Sequence, residues 1–129
     1  MIITPDSRSF IQSDVDLYVA NWNNPSQFYR NQASNDNHWL HVYLDPTSIQ
    51  SPPHGIGVRV TVTANGASQV REVEGGAGYN SQSSFSVEFG FGPGALTSVT
   101  IEVRWPSGIT ETFSSVPDQH VTLREGDGI

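Results

Sequence analysis

Four groupings of side chains in this chain have types and spacings that could do chemistry. The pair His38 and His41 has the look of a metal-ligand spacing. On a helix those rings would share a face, but on a strand, with a period of two, they point to opposite sides. His54 and His120 stand apart in turn-like contexts, so no third ligand is offered. The acidic residues Glu72, Glu74, Glu88 and Glu102 could supply a hydrolytic carboxylate pair. Such a pair must sit about 5–9.5 Å apart across a cleft with one pKa raised by burial, whereas these lie on strand faces that read as solvated. No serine occupies a strand–turn–helix elbow, because no segment reads as a helix.

The remaining two groupings suit binding. The glycine-rich stretch Gly75-Gly-Ala-Gly-Tyr79 is followed by neither a helix start nor a lysine, so it is no phosphate cradle. Its extension presents Tyr79, Asn80, Ser81 and Gln82, an aromatic among small amides and hydroxyls, which suits a neutral polar ligand such as sugar or peptide. The alternative is a tight loop packed by Tyr79. Trp39, His41 and Tyr43 alternate along one strand as an amphipathic row spaced about 7 Å, a candidate flat platform for stacking a sugar. Here the alternative is that the row packs against a hairpin through Phe28 or Tyr29.

The elements that must position these groups are strands. Val15, Leu17 and Val19 alternate with Asp16 and Tyr18; the Asn21–Ser26 turn cluster and Gln27–Arg30 complete a hairpin. Residues 1–13 read as irregular, and the polar run 31–37 is the best domain boundary. Further strands are expected at 38–44, 56–63, 67–74, 85–91, 99–105, 109–113 and 121–123. Asn65-Gly66 is the strongest hairpin signal among them. No segment carries a 3.6-residue apolar stripe. The fold class is therefore all-β: an antiparallel β-sandwich of about seven strands with an N-terminal β-hairpin. Residues 1–36 form the hairpin, 37–124 the sandwich, and 125–129 a frayed tail.

Composition narrows the function classes. The 129 residues carry 13 Asp plus Glu against six arginines and no lysine, for a net charge of −7. The arginines are scattered singly, so a nucleic-acid partner or an anionic membrane surface is not expected. The absence of cysteine excludes disulfides, thiol catalysis and Cys-ligated zinc. No apolar run is long enough to span a bilayer, and no basic-then-apolar export signal is present, so any such signal is expected outside these residues.

From about His38 to Leu123 the sequence resembles the ASPIC/UnbV domain family. The matching stretches are Asn37-His-Trp-Leu40, Gly55-Ile-Gly57 with Arg59-Val-Thr-Val-Thr63, Gln69-Val-Arg-Glu-Val73, Gly75-Gly-Ala-Gly-Tyr79 with Ser81-Gln82, Phe89-Gly-Phe-Gly92 and Val103-Arg-Trp-Pro-Ser-Gly108. Asp14–Asn21 with Phe28–Asn31 is similar to the end of an FG-GAP (VCBS-type) repeat. The resemblance implies a secreted or cell-surface protein whose β-propeller repeats are partners of this module. The repeat's usual Ca²⁺ loop is degenerate: with Asp16 in its final position, Arg8, Phe10 and Gln12 fall where oxygen ligands belong, and Arg and Phe supply none. No cofactor is expected. The reading that follows is a non-catalytic accessory module that binds a carbohydrate or protein ligand. The alternative is a structural cap on the end of the propeller, and an enzyme comes third.

Overall fold

The computed structural model describes residues 2–5, 15–31, 35–76 and 82–129. They divide into two compact units, one comprising the chain up to Asn35 with Glu74–Ser84, the other Asp36–Val73 with Phe85–Ile129. Among the described residues all regular structure is β except a single 3₁₀ turn at Pro53–Gly55.

In the first unit, β1 (Ile2–Pro5), β2 (Val15–Val19) and β3 (Gln27–Tyr29) form an antiparallel sheet in the order β1-β2-β3. The β2–β3 hairpin is the expected one, with Leu17 opposite Tyr29. The strand β1 was not expected, since residues 1–13 read as irregular. Ile-Ile-Thr-Pro is too short to show alternation, yet its β-branched residues suit a strand once β2 offers a free edge. The buried Asp16 carboxylate accepts the Asn31 N–H at 2.8 Å and so fixes where the chain leaves β3. Arg8, Phe10 and Gln12 lie outside the described residues.

The second unit is a sandwich of seven strands: β4 (His38–Asp45), β5 (Arg59–Ala64), β6 (Ala67–Glu72), β7 (Val87–Gly92), β8 (Val99–Arg104), β9 (Thr110–Ser115) and β10 (Gln119–Arg124). One sheet runs β10-β4-β7 and the other β6-β5-β8-β9. Period-two alternation drives the core: Leu40, Val42 and Leu44 of β4 with Val87 and Phe89 of β7 join Val60 and Val62 of β5 and Val99, Ile101 and Val103 of β8 in one cluster closed by Trp105. The β5–β6 hairpin turns at Asn65-Gly66 with φ of 49° and 79°, both positive as a type I′ turn requires.

One pairing departs from an all-antiparallel sandwich. β10 runs parallel to β4, with Val121 opposite Val42 and Leu123 opposite Leu44. Alternation marks which residues of a strand face inward but carries no information about its neighbour or direction.

Two buried carboxylates hold the loops at this end. Glu125 accepts the backbone N–H groups of Thr47 (3.0 Å) and Ser48 (2.9 Å) and the hydroxyls of Ser51 and Ser107, bonds that outweigh its desolvation and lower its pKa. Glu111 accepts from Trp105 Nε1 and from the N–H groups of Gly126 and Gly128. Ile129 exchanges two backbone hydrogen bonds with Thr112 of β9. Residues 125–129, expected to fray, are therefore docked: their glycines bring backbone donors onto a buried carboxylate. At Gly128 an added Cβ would lie 2.6 Å from Glu111 Cβ and 2.8 Å from Phe113 Cζ.

Gly55 ends the 3₁₀ turn with φ of 74°, and a Cβ there would meet Leu44 Cβ at 2.8 Å. Gly55→Ala combines left-handed strain with a core clash, so it is expected to lower stability by about 2 kcal/mol. Urea denaturation would measure it. A change below about 0.5 kcal/mol would show that the loop moves aside freely.

Candidate functional site

Because Leu40, Val42 and Leu44 of β4 point into the core, Trp39, His41 and Tyr43 emerge together on the outer face of the smaller sheet. Parallel β10 sets His120 opposite His41 on the same face. Four rings meet there. Trp39 and His41 lie 5.1 Å apart at 75°, Trp39 and His120 5.3 Å at 66°, and His41 and His120 4.9 Å at 82°, with Tyr43 6.0 Å from His120. Trp39, His41 and His120 meet edge to face, the arrangement that aromatic quadrupoles favour, and Tyr43 is tilted at 36° to His120. They do not form a flat platform.

Within the cluster His41 is 2% exposed, Trp39 and Tyr43 are half-buried and His120 is exposed. Burial, then the charge of His120, pushes the His41 pKa down to about 4, so its ring is neutral at physiological pH. Across β7, Glu88 stands opposite His41 and Gly90 opposite Trp39. Burial raises the Glu88 pKa, against the opposing bond from the Ser86 hydroxyl. Gly90 has nothing within 4 Å of where its Cβ would stand, which leaves the strip beside Trp39 open.

The second expected grouping fares differently. Tyr79, Asn80 and Ser81 lie outside the described residues. Gln82 does not offer its amide outward: Nε2 donates to the carbonyls of Glu74 (3.1 Å) and Ser83 (3.0 Å), closing the base of its own loop. The carboxylates separate as well. Glu88 lies on β7 of the smaller sheet and Glu102 on β8 of the larger one, not on neighbouring strands. Among the described residues no three His, Asp or Glu side chains are placed to hold a metal ion.

Sequence reasoning missed two participants. His120 looked isolated because its partners are about 80 positions away and only the parallel pairing reveals them. His38 looked like half of a ligand pair, yet its ring joins three segments. Nδ1 lies 2.7 Å from Asp118 Oδ2 and Nε2 lies 2.7 Å from the Gly94 carbonyl. Asp118 also accepts the Trp39 N–H through Oδ1 and donates its own N–H to the Trp39 carbonyl. A neutral imidazole has one N–H, whereas imidazolium donates to both acceptors, so the bond to Asp118 above all raises the His38 pKa.

A folded-state pKa above 6.5 means that the clasp's contribution is complete below about pH 6.5 and is lost as pH rises through the folded value. By NMR, His38 is expected to titrate above 6.5, and Asp118→Asn to lower that midpoint. Asparagine tolerates the positive φ of residue 118, so the backbone is kept. A wild-type midpoint at or below 6.5 would refute the clasp.

These features define a small all-β domain: a seven-stranded sandwich with a glycine-stapled C-terminal end and an aromatic cluster on its smaller sheet. The chain belongs to the ASPIC and UnbV family, whose model matches residues 48–129. Compared with the expected span of 38–123, the match begins later and takes in the docked tail; it contains His120 and Gln82 and leaves Trp39, His41 and Tyr43 outside. Comparisons with curated proteins and with solved structures gave no match.

Proposed function

We propose that the chain serves as a non-catalytic binding or adhesion module of an extracellular protein carrying FG-GAP repeats, with the four-ring cluster contacting a carbohydrate or protein ligand. The observation that carries this reading is the convergence of Trp39, Tyr43 and His120 beside the open strip at Gly90. Half-buried aromatics offer apolar area at little entropic cost, with polar tips for hydrogen bonds. The export and the repeats rest on the likeness of Asp14–Asn21 and Phe28–Asn31 to a repeat end. No helix among the described residues is long and apolar enough to cross a membrane.

A structural cap is the second reading, favoured by the near-complete burial of His41. Glycan and peptide arrays probed with the whole chain separate the two. For a binding module, Gly90→Val and Trp39→Ala should each weaken the captured ligand at least about tenfold. Gly90→Val should leave thermal stability unchanged or higher, since valine suits a strand and has room there. Silent arrays, with Trp39→Ala costing stability, would favour the cap.

A further inference from the structure

The larger sheet carries a feature that the aromatic cluster does not use. Arg59 of β5 stands directly opposite Arg104 of β8 on the outer face, because Val60 and Val103 take the inner one. Like charges in this relation repel. The pairing is notable in a chain with six arginines and 13 acidic residues. Arg59 is only loosely compensated: Glu72 of β6 approaches to 3.5 Å, with both side chains more than half exposed. The Arg104 side chain has no hydrogen bond or ion pair among the described residues. Glu102 lies one row along the same face, opposite Thr61, and makes no ion pair with either arginine among the described residues.

The two guanidinium groups line a polar recess of about 310 Å³. Its other walls are Glu72, Gly57, Pro106 and Gly108, with Trp105 beneath. Gly57 and Gly108 adopt φ of 85° and 95°, and nothing lies within 4 Å of a Cβ added at Gly108. The turn therefore makes a low wall. We propose that Arg59 and Arg104 form a binding site for the carboxylate group of a small ligand, separate from the aromatic cluster and on the opposite sheet. A guanidinium presents a planar fork of donors that matches a carboxylate, and both arginines line the one recess. The bound anion removes the repulsion that the pairing creates. Glu72 lines the same recess and the chain carries −7, so a doubly charged group or a polyanion is disfavoured relative to a single carboxylate. Glu72 also acts as an internal competitor for Arg59.

The test is NMR observation of the arginine Nε–H groups in the whole chain, titrated with acetate, D-glucuronate or inorganic phosphate at constant ionic strength. The Arg59 and Arg104 signals should shift saturably with acetate and glucuronate, with Kd on the order of 1–10 mM, while Arg124 stays still. Arg104→Gln should weaken the response at least about tenfold and leave the fold intact, because it removes a repulsion. Glu72→Gln should tighten acetate about threefold or more by freeing Arg59. A linear shift shared with Arg124, or an Arg104→Gln variant that binds like wild type, would overturn the site. Phosphate binding more tightly than acetate would overturn the carboxylate assignment.

Discussion

Replacing Glu111 with alanine is expected to cost about 4 kcal/mol of stability, more than any other single change discussed. The side chain is 5% exposed, and its carboxylate takes Trp105 Nε1–H at 2.6 Å and the N–H groups of Gly126 and Gly128 at 3.0 Å each. Removing the acceptor strands one buried indole donor and detaches two backbone donors. An unsatisfied buried donor costs about 1–3 kcal/mol, and charge-assisted bonds lie at the upper end. Released, the tail gives up its two bonds to Thr112 and uncovers Phe113. Glu111→Gln keeps the shape and one acceptor oxygen, so about half the loss is expected. Urea denaturation followed by circular dichroism gives the free energies, and hydrogen exchange at Ile129 reports the tail. A loss under about 1 kcal/mol with Ile129 still protected would mean that Glu111 does not hold it.

Acid should destabilise the fold through His41, by roughly 3 kcal/mol between neutral pH and pH 4. Its pKa falls from 6.5 to about 4 in the folded state, burial being the main cause and the charge of His120 the second. The unfolded chain therefore binds the proton first. Stability supplied by the neutral ring is complete above about pH 6.5 and is lost as pH falls towards 4. At about 1.4 kcal/mol per pKa unit the full shift corresponds to about 3–4 kcal/mol, of which roughly 3 is lost by pH 4, where the folded ring is half protonated. His38 and Glu88, whose pKa values are raised, act in the opposite direction, and Glu125 adds to the acid loss below its ordinary range. Comparison with His41→Phe isolates the contribution, since phenylalanine keeps a ring there and does not titrate. The difference in stability between pH 7 and pH 4 should shrink by roughly 3 kcal/mol in the variant. Equal pH dependence in the two proteins would refute the assignment.

What was legible in the sequence is the part encoded locally. Strands β5 and β8 alternate cleanly because one face is core and the other solvent, and Asn65-Gly66 announces its turn because both residues tolerate positive φ. The outward row of Trp39, His41 and Tyr43 could be read from parity alone. Its shape could not, because His120 enters from a strand whose partner is set by long-range packing. The tail was misjudged for the same reason: Gly-Asp-Gly has the composition of a frayed end, and only the distant carboxylate of Glu111 gives those glycines something to bind. Strand β1 was too short for its pattern to register. The arginine pair was invisible in one dimension, where 45 positions separate residues that the β5–β8 register sets face to face.

The parallel union of β10 with β4 also bears on how the domain folds. Trp39 and Asp118, joined at its start, are 79 positions apart, whereas β5 and β6 meet across a two-residue turn and β8 and β9 across a short one. Closing a long loop forfeits more chain entropy than closing a short one, so the β5–β6 and β8–β9 hairpins can nucleate from neighbours while β4 waits for its flank. Mutations in β5 and β8 should then slow folding, and mutations in β10 should chiefly speed unfolding. The aromatic cluster, assembled across that last seam, should then be the final surface of the domain to take shape.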